Sequence, residues 1–333
     1  MSTEQPTDGP GRESRRSGPL VSAVRWMENL GDTGFAYLLL TPVFLILGAV
    51  ALYPLLATFE MSLHADATGR VGEFVGFQNY VELFNGEKDV WLGGANFLPE
   101  GSWLSISNLL GSAVGVTLIF TIVSVFFETI IGFGQALILD QDFRGRRWVR
   151  VAIIIPWAVP IVIQGMIFYL MFRPGIGFAT APLADMGLLA AQNTLNDPAS
   201  AMFIIIVADI WKTSAFMALL ILAGLQSIDR SLYDVAKVAG ASKWQQFRMI
   251  TLPLILPTVG VAVLFRTVAA MRVYGVIDTV SSCQVVPSLS CMVVQTFSSP
   301  PRYATSATIA FVTAAIIGVA VSVIIVQQAR EGI

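Results

Sequence analysis

Along the chain, apolar residues fall in long blocks rather than in narrow stripes. Six stretches, about 35–59, 112–139, 148–172, 201–225, 254–275 and 307–326, are almost continuously apolar, and polar or Pro/Gly-rich segments separate them. A helix rises about 1.5 Å per residue, so roughly 20 apolar residues cross about 30 Å of hydrocarbon. The pattern predicts an all-α integral membrane protein with six transmembrane helices. Residues 1–19, rich in Pro, Gly, Ser, Arg and Glu, lack apolar periodicity and read as a disordered tail. The segment 20–34, with Leu20, Val21, Val24, Trp26, Met27 and Leu30, reads as a short amphipathic helix on the membrane surface.

Composition strengthens the membrane assignment. Of 333 residues, 55% are hydrophobic and 13% charged, where a soluble domain carries about 25% charged. Mean hydropathy is +0.71. The balance of 20 Lys+Arg against 22 Asp+Glu leaves no basic excess for nucleic acid. One histidine, His64, and two cysteines are too few for most zinc, haem or iron–sulfur sites. His64, beside Glu60 and Asp66, reads as a solvated or capping residue, not a metal ligand. No phosphate-binding G-x-x-x-x-G-K-[ST] loop and no H-E-x-x-H helix occur. The chain therefore reads as a non-enzyme without a cofactor of its own, and any ATP it uses is hydrolysed on another chain.

Charge also sets orientation, because cytoplasmic loops collect Lys and Arg. Arg12, Arg15, Arg16, Arg25, Arg144, Arg146, Arg147, Arg150, Arg230, Lys237, Lys243, Arg248 and Arg330 fall on one side; Arg70, Lys88, Arg173 and Arg302 fall on the other. Thirteen against four predicts cytoplasmic termini, with the loops 60–111 and 276–306 outside. Cys283 and Cys291 then lie eight residues apart in an oxidising compartment, where either a disulfide or two free thiols fits the spacing.

The loop 226–257, QSIDRSLYDVAKVAGASKWQQFRMITLPLILP, carries the most information. Ser227 or Asp229 can cap a helix starting near Arg230, with Leu232, Val235, Ala236 and Ala239 as its apolar stripe. Gly240 stops that helix, and a second amphipathic helix follows with Trp244, Phe247 and Ile250 on one side. Pro253 and Pro257 mark the return into the fifth span. Such an element suits a groove on a cytoplasmic partner or a resting place on lipid, and composition does not choose between them.

The same loop resembles the EAA motif of permease subunits of binding-protein-dependent ABC importers, roughly E-A-A-x-x-D-G-A-x(5)-F-x-x-I-x-L-P-x(3)-P. Ala236, Gly240, Ala241, Phe247, Ile250, Leu252, Pro253 and Pro257 occupy matching positions, while Asp234, Val235 and Ala239 depart from Glu, Ala and Asp. Val75 through Val81 is similar to the V-G-x-x-N-Y segment of maltose/trehalose permeases. Further matches are Tyr53-Pro54-Leu55, Pro156-Trp157, Trp211 through Met217, Leu225 through Ile228, Phe265-Arg266-Thr267 and Arg272-Val273-Tyr274. Ala215 stands where the group usually has Pro, and Ser281 through Gln284 replaces its Gly-rich turn. The resemblance implies a six-span permease domain over 35–329 with the type I importer fold, in the plasma membrane of a prokaryote. It also implies that the loop 230–257 docks on two ATPase subunits carrying ATP and Mg. A second permease subunit, usually a different chain, and an extracytoplasmic sugar-binding protein complete the implied assembly. The implied activity is ATP-driven import of a carbohydrate, such as trehalose or maltose, by alternating access.

Four charged residues fall inside the predicted spans: Glu128, Asp209, Lys212 and Arg266. Ionisable groups there face protein or a water-filled cavity. Asp209 and Lys212, three apart, share a helix face and can pair directly, or Arg266 can instead claim either acid. They form either a structural network or part of the translocation path. A neutral polyol needs hydrogen-bonding groups and an aromatic face, which Gln164, Tyr169, Trp211, Lys212, Thr213, Ser214, Phe216 and Tyr274 can supply. Two rivals remain: a secondary transporter driven by an ion gradient, which needs a midplane acid without a basic partner, and an ABC permease for a non-sugar solute.

Overall fold

The computed structural model describes residues 31–67, 70–88, 90, 94–298 and 300–330. The tail 1–19 and most of the surface helix expected over 20–34 lie outside the described residues; Asp32 to Gly34 instead open the first long helix. The chain divides into two compact units between Thr58 and Phe59.

The first unit holds α1 (Asp32–Leu47), a π-helical turn (Gly48–Leu52) and the start of α2 (Tyr53–Ser62). The π turn ends two residues before Pro54. A proline ring clashes with the carbonyl four residues earlier, here Val50, and the wider turn relieves that clash. The same arrangement recurs before Pro253.

The second unit opens with an antiparallel hairpin, β1 (His64–Ala67) and β2 (Arg70–Phe74), then α3 (Gln78–Phe84) and α4 (Ile106–Leu110). The segment 60–111, expected as a loop, thus carries structure of its own. The hairpin is held by buried Asn79, which donates to the Ser62 and His64 carbonyls at 2.8 and 2.7 Å and accepts from Lys88 at 2.7 Å. Asp66 in the hairpin accepts from the amides of Ala304 and Thr305 and from the Thr305 hydroxyl. His64 Nδ1 bonds the Glu60 carbonyl at 2.8 Å.

The long helices follow: α5 (Ala113–Asp140), α6 (Arg146–Ala158), α7 (Ile161–Phe172), short α8 (Thr180–Asp185) and α9 (Pro198–Ser227). Ser112 caps α5 and Asp197 caps α9, whose first residue is Pro198. Gly132 lets α5 and α9 approach closely, since a Cβ there would lie 2.5 Å from that of Met217. Then come α10 (Ser231–Val238), α11 (Lys243–Gln246), a π turn (Phe247–Thr251) and α12 (Leu252–Ala270). Short α13 (Gly275–Val280), α14 (Leu289–Ser298) and α15 (Tyr303–Arg330) complete the chain.

Among the described residues, five helices are long and apolar enough to cross a membrane, or six where the bent pair of α6 and α7 counts as one span. Two expectations are corrected here. The third span, read as one helix over 148–172, is broken between Ala158 and Ile161 and turns through 93°. Pro160 carries no amide proton and biases Val159 towards extended backbone, which Val159 adopts at ψ 129°. The fifth span does not restart at Pro253 and Pro257. Helix continues from Lys243 to Ala270, with the π turn absorbing Pro253 and Pro257 lying inside α12.

Candidate functional site

The interior charges converge. Glu128, in the middle of α5, has no exposed surface, and Asp209 on α9 and Arg266 near the end of α12 are also buried. The Arg266 guanidinium grips both Glu128 oxygens, with Nη2 3.0 Å from Oε1, and its Nη2 also donates to Asp209. The Thr213 hydroxyl adds a donor to Glu128. One fork thereby joins three helices from distant parts of the chain.

Of the two pairings open to Asp209, the one with Arg266 forms and the one with Lys212 does not. Arg266 satisfies Asp209, and Lys212 instead reaches the carbonyls of Trp157, at 3.3 Å, and Val159. Those carbonyls belong to the broken end of α6, where the helix leaves acceptors unpaired and its dipole favours a cation. Lys212 therefore stabilises the break in the third span. Pro160 marks the break in the order of residues, but nothing in that order points to Lys212 as its cap.

The path candidates separate into groups. Trp211 packs tilted on Phe168 at 5.8 Å, and Phe216 stacks on Trp157 at 6.5 Å, close to Lys212. Trp157, half-exposed, joins the path candidates only through the fold, since its Pro-Trp motif by itself gives no contact. Buried Gln164 donates to the Ala208 carbonyl at 2.7 Å, and its own carbonyl oxygen has no partner. Ser214 faces Gln135, and Thr213 belongs to the charge cluster. Tyr169 lies under Arg173, and Tyr274 bonds Asp278 at 3.3 Å. Trp157, Lys212 and Phe216 thus gather at the bend, Trp211 packs further along α7 on Phe168, and Tyr169 and Tyr274 are held by partners of their own. Cys283 and Cys291 are joined in a disulfide with Cα atoms 5.4 Å apart.

The second candidate region is the end carrying α10. Asp229 accepts from the Ser231 amide at 2.9 Å, a hydrogen bond that holds its carboxyl below the usual range. Gly240 turns the chain at φ +80°, a conformation that disfavours other residues. Ser242 and Gln245 form a reciprocal capping box that starts α11; the Ser-x-x-Gln spacing was legible but went unread. The exposed apolar stripe of α10 is Leu232, Val235 and Val238, the last 92% exposed. Ala236 is half-buried instead, and Ala239 lies beyond the helix end. Asp234 pairs with Lys237 at 3.0 Å, and Ala241 donates to the Ala236 carbonyl at 2.9 Å. Phe247 meets Phe133 and Trp244, Ile250 packs into the core beneath, and Leu252 is exposed.

Apolar helices long enough to cross a membrane, with charges gathered between α5, α9 and α12 and an amphipathic helix pair leading into α12, define a multi-pass membrane protein. The family of binding-protein-dependent transport system inner membrane components matches residues 128–331, more than half of the chain, and the chain belongs to that family. It is 37% identical to the trehalose/maltose transport system permease protein MalF of Thermococcus litoralis, covering 74% of this chain and 76% of that protein. Identity is 35% to the sulfoquinovosyl glycerol permease SmoG of Agrobacterium fabrum, over 76% and 75% of the two chains. It is 31% to the trehalose permease SugA of Mycobacterium tuberculosis, over 74% and 72%. The fold is similar to a chain of a bacterial alginate ABC transporter crystallised with an alginate-bound periplasmic protein. That likeness has a TM-score of 0.69 at 21% identity, over 89% of this chain and 94% of the other.

Proposed function

We propose that this chain is the membrane-spanning subunit of an ATP-driven importer for a carbohydrate, with a disaccharide such as trehalose or maltose as substrate. The observation that carries this reading is that relatives matched over about three quarters of the chain are named for transport of trehalose, maltose and a sulfoquinovosyl glycoside. The groups at the bend in the third span and along α7 support it. Aromatic faces at Trp157, Trp211 and Phe216 suit a sugar ring, and Lys212 and Gln164 offer polar contacts.

In this reading both termini are cytoplasmic and the protein sits in the plasma membrane of a prokaryote. Two ATPase subunits bind ATP and Mg, a second and different permease chain completes the pore, and an extracytoplasmic sugar-binding protein delivers substrate to the loops 60–111 and 276–306. The loop 230–257 docks on the ATPases through the exposed stripe of α10. ATPase closure then moves the spans so that the central path opens alternately to either side.

Co-purification of the tagged chain from its host in mild detergent, followed by mass spectrometry, tests the assembly. The expected partners are an ATPase with a phosphate-binding loop, a second six-span chain and a binding protein that takes up trehalose or maltose. Recovery of the chain alone after cross-linking, with uptake driven by an ion gradient, would favour a secondary transporter. The engagement of both buried acids by Arg266 weighs against that alternative.

A further inference from the structure

We propose that Arg230 is a positioning residue that makes α10 a lever fixed to two different spans, so that ATPase motion reaches the pore without slack. This rests on the permease reading above. Two contacts tie α10 to the spans. The Arg230 guanidinium makes a two-pronged contact with Asp140, the last residue of α5, with Nη2 2.6 Å from Oδ1 and Nη1 3.1 Å from Oδ2. Three residues on, the Tyr233 hydroxyl meets the Thr251 hydroxyl at 2.9 Å, in the π turn that leads into α12. Each span tied in this way carries one partner of the interior fork: Glu128 on α5 and Arg266 on α12.

The geometry argues for orientation as the role of the contact. A planar guanidinium gripping a carboxylate with two parallel bonds fixes angle as well as distance, which a lysine at the same place would not do. The Arg230 side chain is 60% exposed, so the bond adds little to folding. Bonding to Asp140 raises the Arg230 pKa above its ordinary value, so the arginine keeps its charge throughout the working pH range. Only Ile228 to Arg230 separate α9 from α10, too short a connection to absorb motion. A rigid α10 presents its Leu232, Val235 and Val238 stripe outward while both ties hold its other side.

The test uses the complete transporter, with partner permease, ATPases and binding protein, in proteoliposomes loaded with ATP. Radiolabelled trehalose and maltose are the probes, and the readout is sugar moved per ATP hydrolysed. Arg230→Asp is expected to lower that ratio by about five- to tenfold, the lower end of ordinary coupling between sites, while ATP hydrolysis persists. Adding Asp140→Arg to it should restore at least half of the ratio, which a merely structural loss would not do. Arg230→Lys should give an intermediate ratio. Should the reversed charge prevent assembly, Arg230→Gln removes the fork without repulsion and is expected to uncouple by a similar factor. An unchanged ratio in Arg230→Gln, or no recovery in the swapped pair once assembled, overturns the proposal. Failure of the unaltered complex to move either sugar with ATP would count against the permease reading instead, since the ratio could not then be defined.

Discussion

Two of the arginine–carboxylate contacts among the described residues, those of Arg266 and Arg230, have opposite physical meaning. Arg266 with Glu128 and Asp209 is buried among three helices, while Arg230 with Asp140 sits on an exposed end. Water screens the second and competes for its bonds, so its net worth is at most about 1 kcal/mol. The first has no water to fall back on, and each charge depends on the others. Breaking such a group strands a buried charge, typically at about 3–5 kcal/mol, although an apolar replacement of the whole set can be as stable. A buried fork thus locks which helices meet, whereas an exposed fork can set an angle at little energetic stake.

The largest expected effect breaks the inner grip. Arg266→Met should destabilise the folded chain by about 3–5 kcal/mol, seen as lost thermal stability in detergent. A loss below about 1 kcal/mol would show that the cluster is not the lock described. Gly132→Ala tests packing against charge at the same pair of helices. The added Cβ would lie 2.5 Å from the Met217 Cβ and 2.9 Å from the Ser214 carbonyl oxygen, which should cost about 1–3 kcal/mol by the same assay. Lys212→Met removes the cation from the broken end of α6 and should cost about 1–2 kcal/mol, because charged hydrogen bonds are lost from a half-buried site. A larger drop in sugar affinity than in stability would assign Lys212 to the path as well. Arg230→Gln should change stability by no more than about 1 kcal/mol, and a greater loss would erase the contrast with Arg266.

The smallest effect lies in the hairpin region. Hydrogen bonds from Lys88 at 3.0 Å and Gln78 at 2.6 Å hold the Glu82 carboxyl below its ordinary value of 4.5. A depressed carboxyl contributes stability that is present above pH 4.5 and is lost as pH falls through its folded value. Glu82→Gln should therefore flatten acid sensitivity of the α3 segment below pH 4.5, by about 0.5 kcal/mol or less. Hydrogen exchange at Tyr80 to Phe84 measures it, and an unchanged acid profile would remove Glu82 from the account.

What was legible in the residues followed from local chemistry. Continuous apolar blocks announced the crossings, because hydrocarbon admits only backbone that satisfies itself. Gly240 was readable as a turn from its missing side chain, and the four interior charges stood out against apolar neighbours. Less legible were the details inside helices. Pro253 and Pro257 read as the return into the fifth span, yet a π turn accommodates the first, and the second sits inside α12 without ending it. The V-G-F-Q-N-Y segment was noticed as a resemblance, but only the fold shows that Asn79 staples the hairpin through three hydrogen bonds.

By itself the sequence determined that this chain is built of apolar helices able to cross a membrane and that an amphipathic helix pair leads into the last but one of them. Each of these depends on residues within one or two helical turns of each other. Tertiary structure decided the partners. Arg266 lies 138 residues from Glu128, and Arg230 lies 90 from Asp140, so no spacing rule connects them. Lys212 turned from its helical neighbour Asp209 to the carbonyls of Trp157 and Val159 because Arg266 had already satisfied the acid and the break in the third span left acceptors open. Hydrogen-bond demand in a low-dielectric interior is met by whatever the packing brings near, and packing is a property of the whole chain.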